Sequence, residues 1–264
     1  MKELTPEQIQ KNWEQLRNLV SNTFEGERLE KLNKMYDHFE DRMCIAPASA
    51  KEHFHYAHVG GYVEHVLHVV DCALKVMNLW CAEGATINFD VEEVIFAALH
   101  HDLGKVGDMD KDYYVPQESE WHRKNRGEIF THNGNLSYMT VTDRAVFLLN
   151  QFGLVMTENE YIGLRLTDGL YEEANKSYYI SYNPDWALKS NIAYVLHQAD
   201  MMATKIEYDE WKRSQTEEQE ATKERVSSLK KSLTVDDGEK KPQQSEQLSK
   251  KSQDLFDELF GDKK

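Results

Sequence analysis

The 264-residue chain has little cysteine and proline, and it has no long hydrophobic run. Its three cysteines, Cys44, Cys72 and Cys81, cannot all pair and lack the spacing of a metal site, so we do not expect a disulfide-stabilised secreted domain. No apolar stretch approaches the roughly 20 residues needed to cross a bilayer, so a membrane span is excluded. The N-terminus lacks the apolar segment of a signal peptide. We therefore expect a cytoplasmic protein.

Positive charge is also scarce. The chain has 31 lysines and arginines against 46 aspartates and glutamates, which gives a net charge of −15. An acidic chain is poorly suited to non-specific nucleic-acid binding, because that binding depends on Lys and Arg contacts to phosphates. Residues 213–264 hold 11 basic and 12 acidic residues, so residues 1–212 carry −14 of the total. With 40% hydrophobic residues, the chain can still form a packed core.

Apolar residues recur at helical spacing along most of the chain, and every segment with a clear pattern predicts a helix. The first predicted helix begins at Thr5, and the others cover residues 26–39, 62–81, 91–99, 142–152, 157–166 and 191–212. Residues 106–138 are polar and predict a long loop. We therefore predict an all-α fold with four parts: a helical layer at 1–42, the main domain at 43–212, a flexible charged linker at 213–251 and a short apolar motif at 252–264.

Three segments contain residues that commonly bind metals. They are residues 60–65 (GGYVEH), 100–105 (HHDLGK) and 196–200 (LHQAD). Imidazole nitrogen and carboxylate oxygen together suit Zn, Mn, Fe or Co better than Ca or Mg. Asp200 lies beside an apolar helix face, where a carboxylate is costly unless it is paired or metal-bound. The glycine pair at 60–61 predicts a close backbone approach to a ligand, and Gly104 predicts the end of a helix.

In this order the three segments resemble the HD-domain family of metal-dependent phosphohydrolases, over roughly residues 44–210. The resemblance implies an HD-domain helical bundle and a catalytic divalent transition metal, namely Mn, Fe, Co, Ni or Zn. It implies that the metal ligands are His65, His101, Asp102 and Asp200. Some enzymes of this family, notably those with two metals, carry a histidine in this region. The subgroup that this chain most resembles implies a histidine where the chain has Thr167, directly before Asp168, and this departure favours one ion over two.

The resemblance implies that the chain hydrolyses a phosphoester of a nucleotide or deoxynucleotide through a metal-activated water. The candidate catalytic residues are Asp102, Lys105, Asp168 and Glu64, and His132 is a further candidate for moving the proton. Glu64 could instead hold the second nitrogen of a ligand histidine. Cationic and imidazole groups near the site would hold the phosphate. The candidate substrate-binding residues are His55, His58, Lys105, His122, Arg126 and His132, for which an ordinary loop or surface role is the alternative.

Other functions fit the same motifs. A 3′→5′ exonuclease or a cyclic-nucleotide phosphodiesterase of the HD type are the enzymatic alternatives, and the acidic composition disfavours the exonuclease. The non-enzymatic alternative is an HD scaffold that recruits a partner through its C-terminal tail. Four large apolar side chains at i, i+4 spacing predict a docking motif there, and a helix that packs on its own domain is the alternative. They are Leu255, Phe256, Leu259 and Phe260.

Overall fold

The structure is a computed structural model that describes residues 3–233. Its α-helices are α1 (Pro6–Thr23), α2 (Gly26–Ile45), α3 (Gly61–Ala82), α4 (Val91–His100), α5 (Glu120–Arg126), α6 (Val141–Gln151), α7 (Glu158–Arg165), α8 (Lys176–Tyr179) and α9 (Ile192–Leu233). Short 3₁₀ turns lie at Leu103–Val106, Gly169–Tyr171, Glu173–Asn175 and Pro184–Trp186. Two short strands, β1 (Tyr114–Pro116) and β2 (Phe130–His132), form an antiparallel pair. The predicted all-α fold is confirmed.

Several helices begin where side chains cap the backbone. Thr5, Asp90 and Thr157 each accept a hydrogen bond from the backbone N–H three residues later. In all three cases the side chain three residues after the cap accepts a hydrogen bond from the backbone N–H of the capping residue, which completes a capping box. Such caps pair N–H groups that a helix leaves without internal partners, so these starts could be read from the sequence.

The core of the unit that spans Met1–Gln215 forms where α3 packs against α4. Helices α1 and α2 pack on α3 from one side, and α7 packs on α4. Trp13, Phe39 and Phe96 are among the large buried side chains of one continuous apolar cluster. Burying each such side chain stabilises the fold by roughly 1.5–3 kcal/mol. This packing fixes the start of α3 and the end of α4 relative to each other, and both carry predicted metal ligands.

The polar passage at 106–138 differs from the predicted long loop. It contains β1, α5 and β2, and the strands pair with Tyr114 opposite His132 and Pro116 opposite Phe130. Each strand is only three residues long. Such a strand is shorter than the four- to eight-residue alternation that identifies strands in a sequence.

Helix α9 extends beyond the predicted boundary at Lys212 and continues to Leu233. The first part of the segment that we predicted to be a flexible linker is therefore helical. The rest of that linker and the apolar tail with Leu255, Phe256, Leu259 and Phe260 lie outside the described residues. The helices found between residues 3 and 233 are too short or too polar to span a bilayer.

Candidate metal centre

The first metal-binding segment lies at the start of α3. Gly60 has a φ of +81°, which favours glycine, and a Cβ on Gly61 would overlap the backbone carbonyl of Tyr56. The close approach that the glycine pair allows is thus to the protein's own chain, whereas we had predicted an approach to a ligand. It seats the loop that carries His55 against the first turn of α3. His65 lies in the second turn and is fully buried.

The second segment follows the end of α4. His101 is the C-terminal cap of this helix, and Asp102 leads into the 3₁₀ turn at Leu103–Val106. Gly104 lies inside that turn, where a Cβ would overlap the carbonyl of Val141 at the start of α6. Its role is close packing against α6, so our prediction that it ends the helix was wrong. The turn orients the His101 and Asp102 side chains toward α3.

The four predicted ligands lie together. The Nε2 atom of His65 is 3.4 Å from Asp200 Oδ1 and 3.6 Å from Asp102 Oδ2. The Nε2 atom of His101 is 3.5 Å and 3.8 Å from Asp102 Oδ2 and Asp200 Oδ1, respectively. Both Nε2 atoms are buried, and neither has a hydrogen-bond partner within the described part of the chain.

These separations fit a metal site better than a hydrogen-bond network. Hydrogen bonds between nitrogen and oxygen are usually 2.7–3.2 Å long, so all four of these contacts are longer than usual. Ligands about 2.0–2.2 Å from one ion lie roughly 3–3.5 Å from each other. Two buried imidazole nitrogens without partners, both facing carboxylates, are the donors that a transition metal prefers. Three of the four predicted ligands, His65, His101 and Asp200, form a group that could hold a metal ion.

The other nitrogen of each histidine is held by the protein. His101 Nδ1 donates a hydrogen bond to the carbonyl of Ala98 at 2.8 Å, and His65 Nδ1 donates to both carboxylate oxygens of Glu207 at 3.0 Å. Glu207 is buried and also accepts a bond from His68 Nδ1 at 2.8 Å. When the rings are neutral, these bonds place the free lone pair of each on Nε2, which is how ligand histidines are usually oriented.

Sequence reasoning missed Glu207, although a signal was present. It follows Asp200 by two helical turns, so both residues lie on the same face of α9. Among the residues of α3, His65 and His68 are one turn apart and face the same carboxylate. Two histidines and two acids at these spacings on two helices would have indicated a shared polar contact.

Electrostatics at the centre favour positive charge. Burial alone would lower the pKa of His65, but the carboxylates of Glu207 and Asp200 outweigh it and raise that pKa to about 10. Burial alone would raise the pKa of Glu207, yet the His65 charge lowers it to about 2. The pKa of Asp102 is also below its usual value, mainly because of Lys105. The carboxylates can be balanced by a proton on His65 or by a bound cation.

Lys105 and His55 adjoin the four ligands. Lys105 Nζ donates to Asp102 Oδ2 at 2.6 Å and lies 3.4 Å from His55 Nε2. The His55 ring lies 4.6 Å from the His65 ring. His55, His65 and Asp102 form a second group that could hold an ion. Burial and the nearby Lys105 lower the pKa of His55 to about 3, so its ring is neutral at physiological pH.

Asp168 lies within electrostatic reach of the centre. Partial burial, followed by the charges of Asp102 and Asp200, raises its pKa. The preceding Thr167 is buried, and its hydroxyl donates to the Gly163 carbonyl of α7 at 2.8 Å. The Thr167 hydroxyl is therefore bonded to the backbone of α7 and does not replace the expected histidine as a ligand.

Comparison with known proteins adds no identification. No protein-family model matches the chain, and it matches neither a curated protein nor a solved structure. What is established is an all-α fold with a histidine–aspartate cluster that could hold a metal ion.

Two of the other candidates, Glu64 and His58, pair with each other near the start of α3. His58 Nε2 lies 3.4 Å from Glu64 Oε2, and His58 Nδ1 lies 3.1 Å from the Val59 carbonyl. The structure therefore does not show Glu64 holding a ligand histidine, because Glu207 and Ala98 do so. A catalytic role for Glu64 and a substrate role for His58 stay predictions.

The remaining candidates lie on α5 and β2, where they contact residues outside the four-ligand cluster. His122 packs on Trp121, and Arg126 lies over the Trp121 ring and 3.7 Å from Glu128. His132 is exposed and packs edge-on against Tyr113. None of these three side chains belongs to the groups of described residues that could hold an ion. Their substrate-binding roles stay predictions.

Proposed function

We propose that this chain is an HD-type metal-dependent phosphohydrolase that hydrolyses a nucleotide or deoxynucleotide phosphoester. The observation that carries the proposal is the pair of buried Nε2 atoms on His65 and His101, without hydrogen-bond partners and facing Asp102 and Asp200. Buried polar atoms are normally paired, so two partnerless imidazole nitrogens that face carboxylates support a cation site. The order of the three sequence motifs supplies the reaction class.

Each ligand has a defined part in holding one divalent ion, for which Mn, Fe, Co, Ni and Zn are the candidates. Such an ion would supply a Lewis acid for a phosphate oxygen and lower the pKa of a bound water. His65 and His101 present their lone pairs because Glu207 and Ala98 hold the opposite ring nitrogens. Asp102 and Asp200 contribute the negative charge.

Two neighbouring side chains would act on the substrate. Lys105 carries a positive charge beside Asp102 and can neutralise a second phosphate oxygen. Asp168 has a raised pKa and lies close enough to sense the charges of Asp102 and Asp200. A carboxyl group whose pKa moves toward neutrality is suited to transfer a proton to or from the reacting phosphate.

The charge of the chain favours a small substrate over a nucleic acid. The basic residues on α5 are few, and Lys124 and Arg126 already contact Glu120 and Glu128. A polynucleotide would need several free Lys and Arg side chains along its backbone. The exonuclease therefore ranks below nucleotide hydrolysis. It stays the second candidate because the motifs at 60–65 and 196–200 also resemble HD exonucleases, and the cyclic-nucleotide phosphodiesterase is the third.

The test is a panel of phosphoesters with each candidate metal added in turn. Nucleoside and deoxynucleoside monophosphates, cyclic nucleotides and single-stranded DNA are compared for wild type, Asp102→Ala and the exposed control Asp71→Ala. We expect metal-dependent release of phosphate from the monophosphates in wild type and Asp71→Ala only. If single-stranded DNA is degraded while the monophosphates are not hydrolysed, the exonuclease is the correct function. Equal activity in Asp102→Ala would contradict the proposed site.

A further inference from the structure

A cavity of about 230 Å³ adjoins the candidate metal centre. It lies between the end of α2, Val59 and the two-stranded sheet of β1 and β2. The residues that matter for its chemistry are Pro47, Val59, Lys105, Tyr113, Tyr114 and Phe130. Pockets for drug-sized ligands measure about 300–1,000 Å³. This one is smaller, so it has room for one ring system and not for a whole nucleotide.

The sheet register explains why aromatic rings line this cavity. Pro116 and Phe130 are directly opposite each other, and Tyr114 lies two residues before Pro116. Cross-strand partners and alternate residues of a strand share a face of the sheet. Tyr114, Pro116 and Phe130 therefore form one face, and all three line the cavity.

Lys105 connects the cavity to the metal centre. Its Nζ donates to Asp102, and the same side chain lines the cavity. Burial raises the pKa of the Tyr114 hydroxyl to about 12, and the charges of Lys105 and Asp102 also act on it. A phosphate held by Lys105 would thus lie at the edge of the cavity, and the group esterified to that phosphate would lie at its mouth.

Hydrogen-bonding capacity at the cavity is low. Apart from Lys105, its charged residues are Arg42 and Asp112, which form an ion pair of 3.1 Å with each other. Arg42 also donates to the carbonyls of Asp108 and Met109. The remaining walls are largely apolar and aromatic, so a ligand would be held through the face of a ring and not through its polar edge.

We propose that this cavity binds the base of the nucleotide substrate, while Lys105 and the metal centre hold the phosphate. We call it the ring pocket, defined by Pro47, Val59, Lys105, Tyr113, Tyr114 and Phe130. The inference rests on the proposed function, since it names the part of that substrate that lies outside the metal centre. Stacking on an aromatic side chain contributes about 1–3 kcal/mol per base and tolerates any base. The enzyme should therefore require a base yet discriminate weakly among the four.

Val59→Trp is the variant that tests the pocket. Val59 lines the cavity and is 49% exposed, so a larger side chain can enter the pocket from its rim without disturbing the core. The matched control is Val155→Trp, since Val155 is 82% exposed and lies outside the pocket. Thermal unfolding should be unchanged in both variants. Phe130→Leu is a second variant that keeps an apolar wall but removes the stacking face.

Two measurements are made on the full-length chain with metal added. The first is kcat/KM for a nucleoside monophosphate relative to ribose 5-phosphate, which has the phosphate and the sugar but no base. The second is the affinity for the nucleoside monophosphate, measured by calorimetry with the inactive variant Asp168→Asn as background. We expect Val59→Trp and Phe130→Leu to lower the kcat/KM ratio and the affinity about tenfold or more. Turnover of ribose 5-phosphate by the two pocket variants, and kcat/KM for Val155→Trp, should stay at the wild-type level, and the affinity of Val155→Trp in the Asp168→Asn background should equal that of Asp168→Asn alone.

The outcomes separate the two proposals. If the chain hydrolyses nucleotides but Val59→Trp and Phe130→Leu leave both measurements unchanged, the ring pocket is wrong and the proposed function stands. If no phosphoester is hydrolysed, the proposed function fails, and the calorimetric affinity still decides whether the pocket binds a base. Discrimination among the four bases by more than about a hundredfold would also overturn the pocket, because face stacking cannot provide it.

Discussion

Glu207 on α9 fixes the orientation of the candidate ligand His65 on α3. It is buried, and it accepts hydrogen bonds from both His65 and His68. Replacing it with alanine leaves two imidazole N–H groups without their acceptor, which costs about 1–3 kcal/mol for each buried group. Loss of such an outer contact typically lowers metal affinity 10–100-fold.

We therefore predict that Glu207→Ala weakens metal binding by at least about tenfold and lowers the free energy of unfolding. Chelator competition measures the first quantity and denaturant unfolding the second. The control is Asp209→Ala, on an exposed position of the same helix. Equal metal affinity in Glu207→Ala and Asp209→Ala would mean that Glu207 does not position His65 for a metal.

The raised pKa of His65 predicts how metal binding depends on pH. Without metal, the carboxylates of Glu207 and Asp200 hold that pKa near 10, above the value of about 6.5 in an unfolded chain. The proton therefore stabilises the metal-free fold below about pH 6.5, and this stability is lost as the pH rises toward 10. A ligand histidine must be neutral, so metal binding releases the proton and strengthens as the pH rises.

It follows that the Tm difference between metal-loaded and chelator-treated protein should grow from about pH 6.5 to pH 9. Thermal unfolding at a series of pH values checks this. Calorimetry in buffers of different ionisation enthalpy should also show release of about one proton per ion bound near pH 7.5. A constant Tm difference across that range would contradict a role for His65 as a ligand.

At the scale of elements, the 3₁₀ turn after α4 depends on its contact with α6. A Cβ on Gly104 would overlap the Val141 carbonyl, so one of the two backbones has to move. Gly134 has open space around it and an ordinary φ, which makes Gly134→Ala the matched control.

We predict that Gly104→Ala lowers the free energy of unfolding by more than the roughly 1–3 kcal/mol of ordinary overpacking, because the clash is with backbone. It should also lower metal content, since Asp102 and Lys105 belong to the same turn. Denaturant unfolding and elemental analysis measure the two effects. A Gly104→Ala protein as stable and as metal-rich as Gly134→Ala would show that this contact does not shape the site.

Long amphipathic helices were predictable from the sequence, and shorter elements were not. Helices α3 and α4 have sustained apolar periodicity, and the capping box at Asp90 marks the start of α4. Strands β1 and β2 are too short to show an alternating pattern. Their pairing depends in addition on contacts between residues that are separated in the sequence. The extension of α9 was missed because glutamate, glutamine and lysine suit both an exposed helix and a flexible linker.

The candidate site was predictable to a similar degree. The four candidate ligands could be found because each lies in a motif, whereas Glu207 lies outside the motifs and its spacing from Asp200 was its one signal in the sequence. The two glycine segments were recognised, but their packing partners, Tyr56 and Val141, cannot be read from neighbouring residues. The ring pocket was not predicted, because its walls come from segments that are distant in the sequence, namely α2, Val59 and the two-stranded sheet.

At the scale of the whole molecule, the sequence predicts a docking role for the tail that does not involve the predicted chemistry. Leu255, Phe256, Leu259 and Phe260 lie outside the described residues, and the docking motif stays a prediction from the sequence. A helix as short as the predicted one would not be stable in isolation in water, so the prediction requires a surface on which it orders. We expect truncation after Lys251 to leave turnover of a small phosphoester unchanged and to abolish binding to a partner protein. If the truncated chain loses thermal stability or turnover instead, the tail packs on its own domain.

The metal is the central claim, and elemental analysis of protein purified without chelators tests it most directly. We predict about one equivalent of Mn, Fe, Co, Ni or Zn in wild type and in the control Asp71→Ala. Asp102→Ala and His101→Ala should contain at least about tenfold less, because removing a ligand leaves the remaining donors with an incomplete site. Full metal content in either variant, or a wild-type chain that takes up none of these ions on reconstitution, would contradict the account.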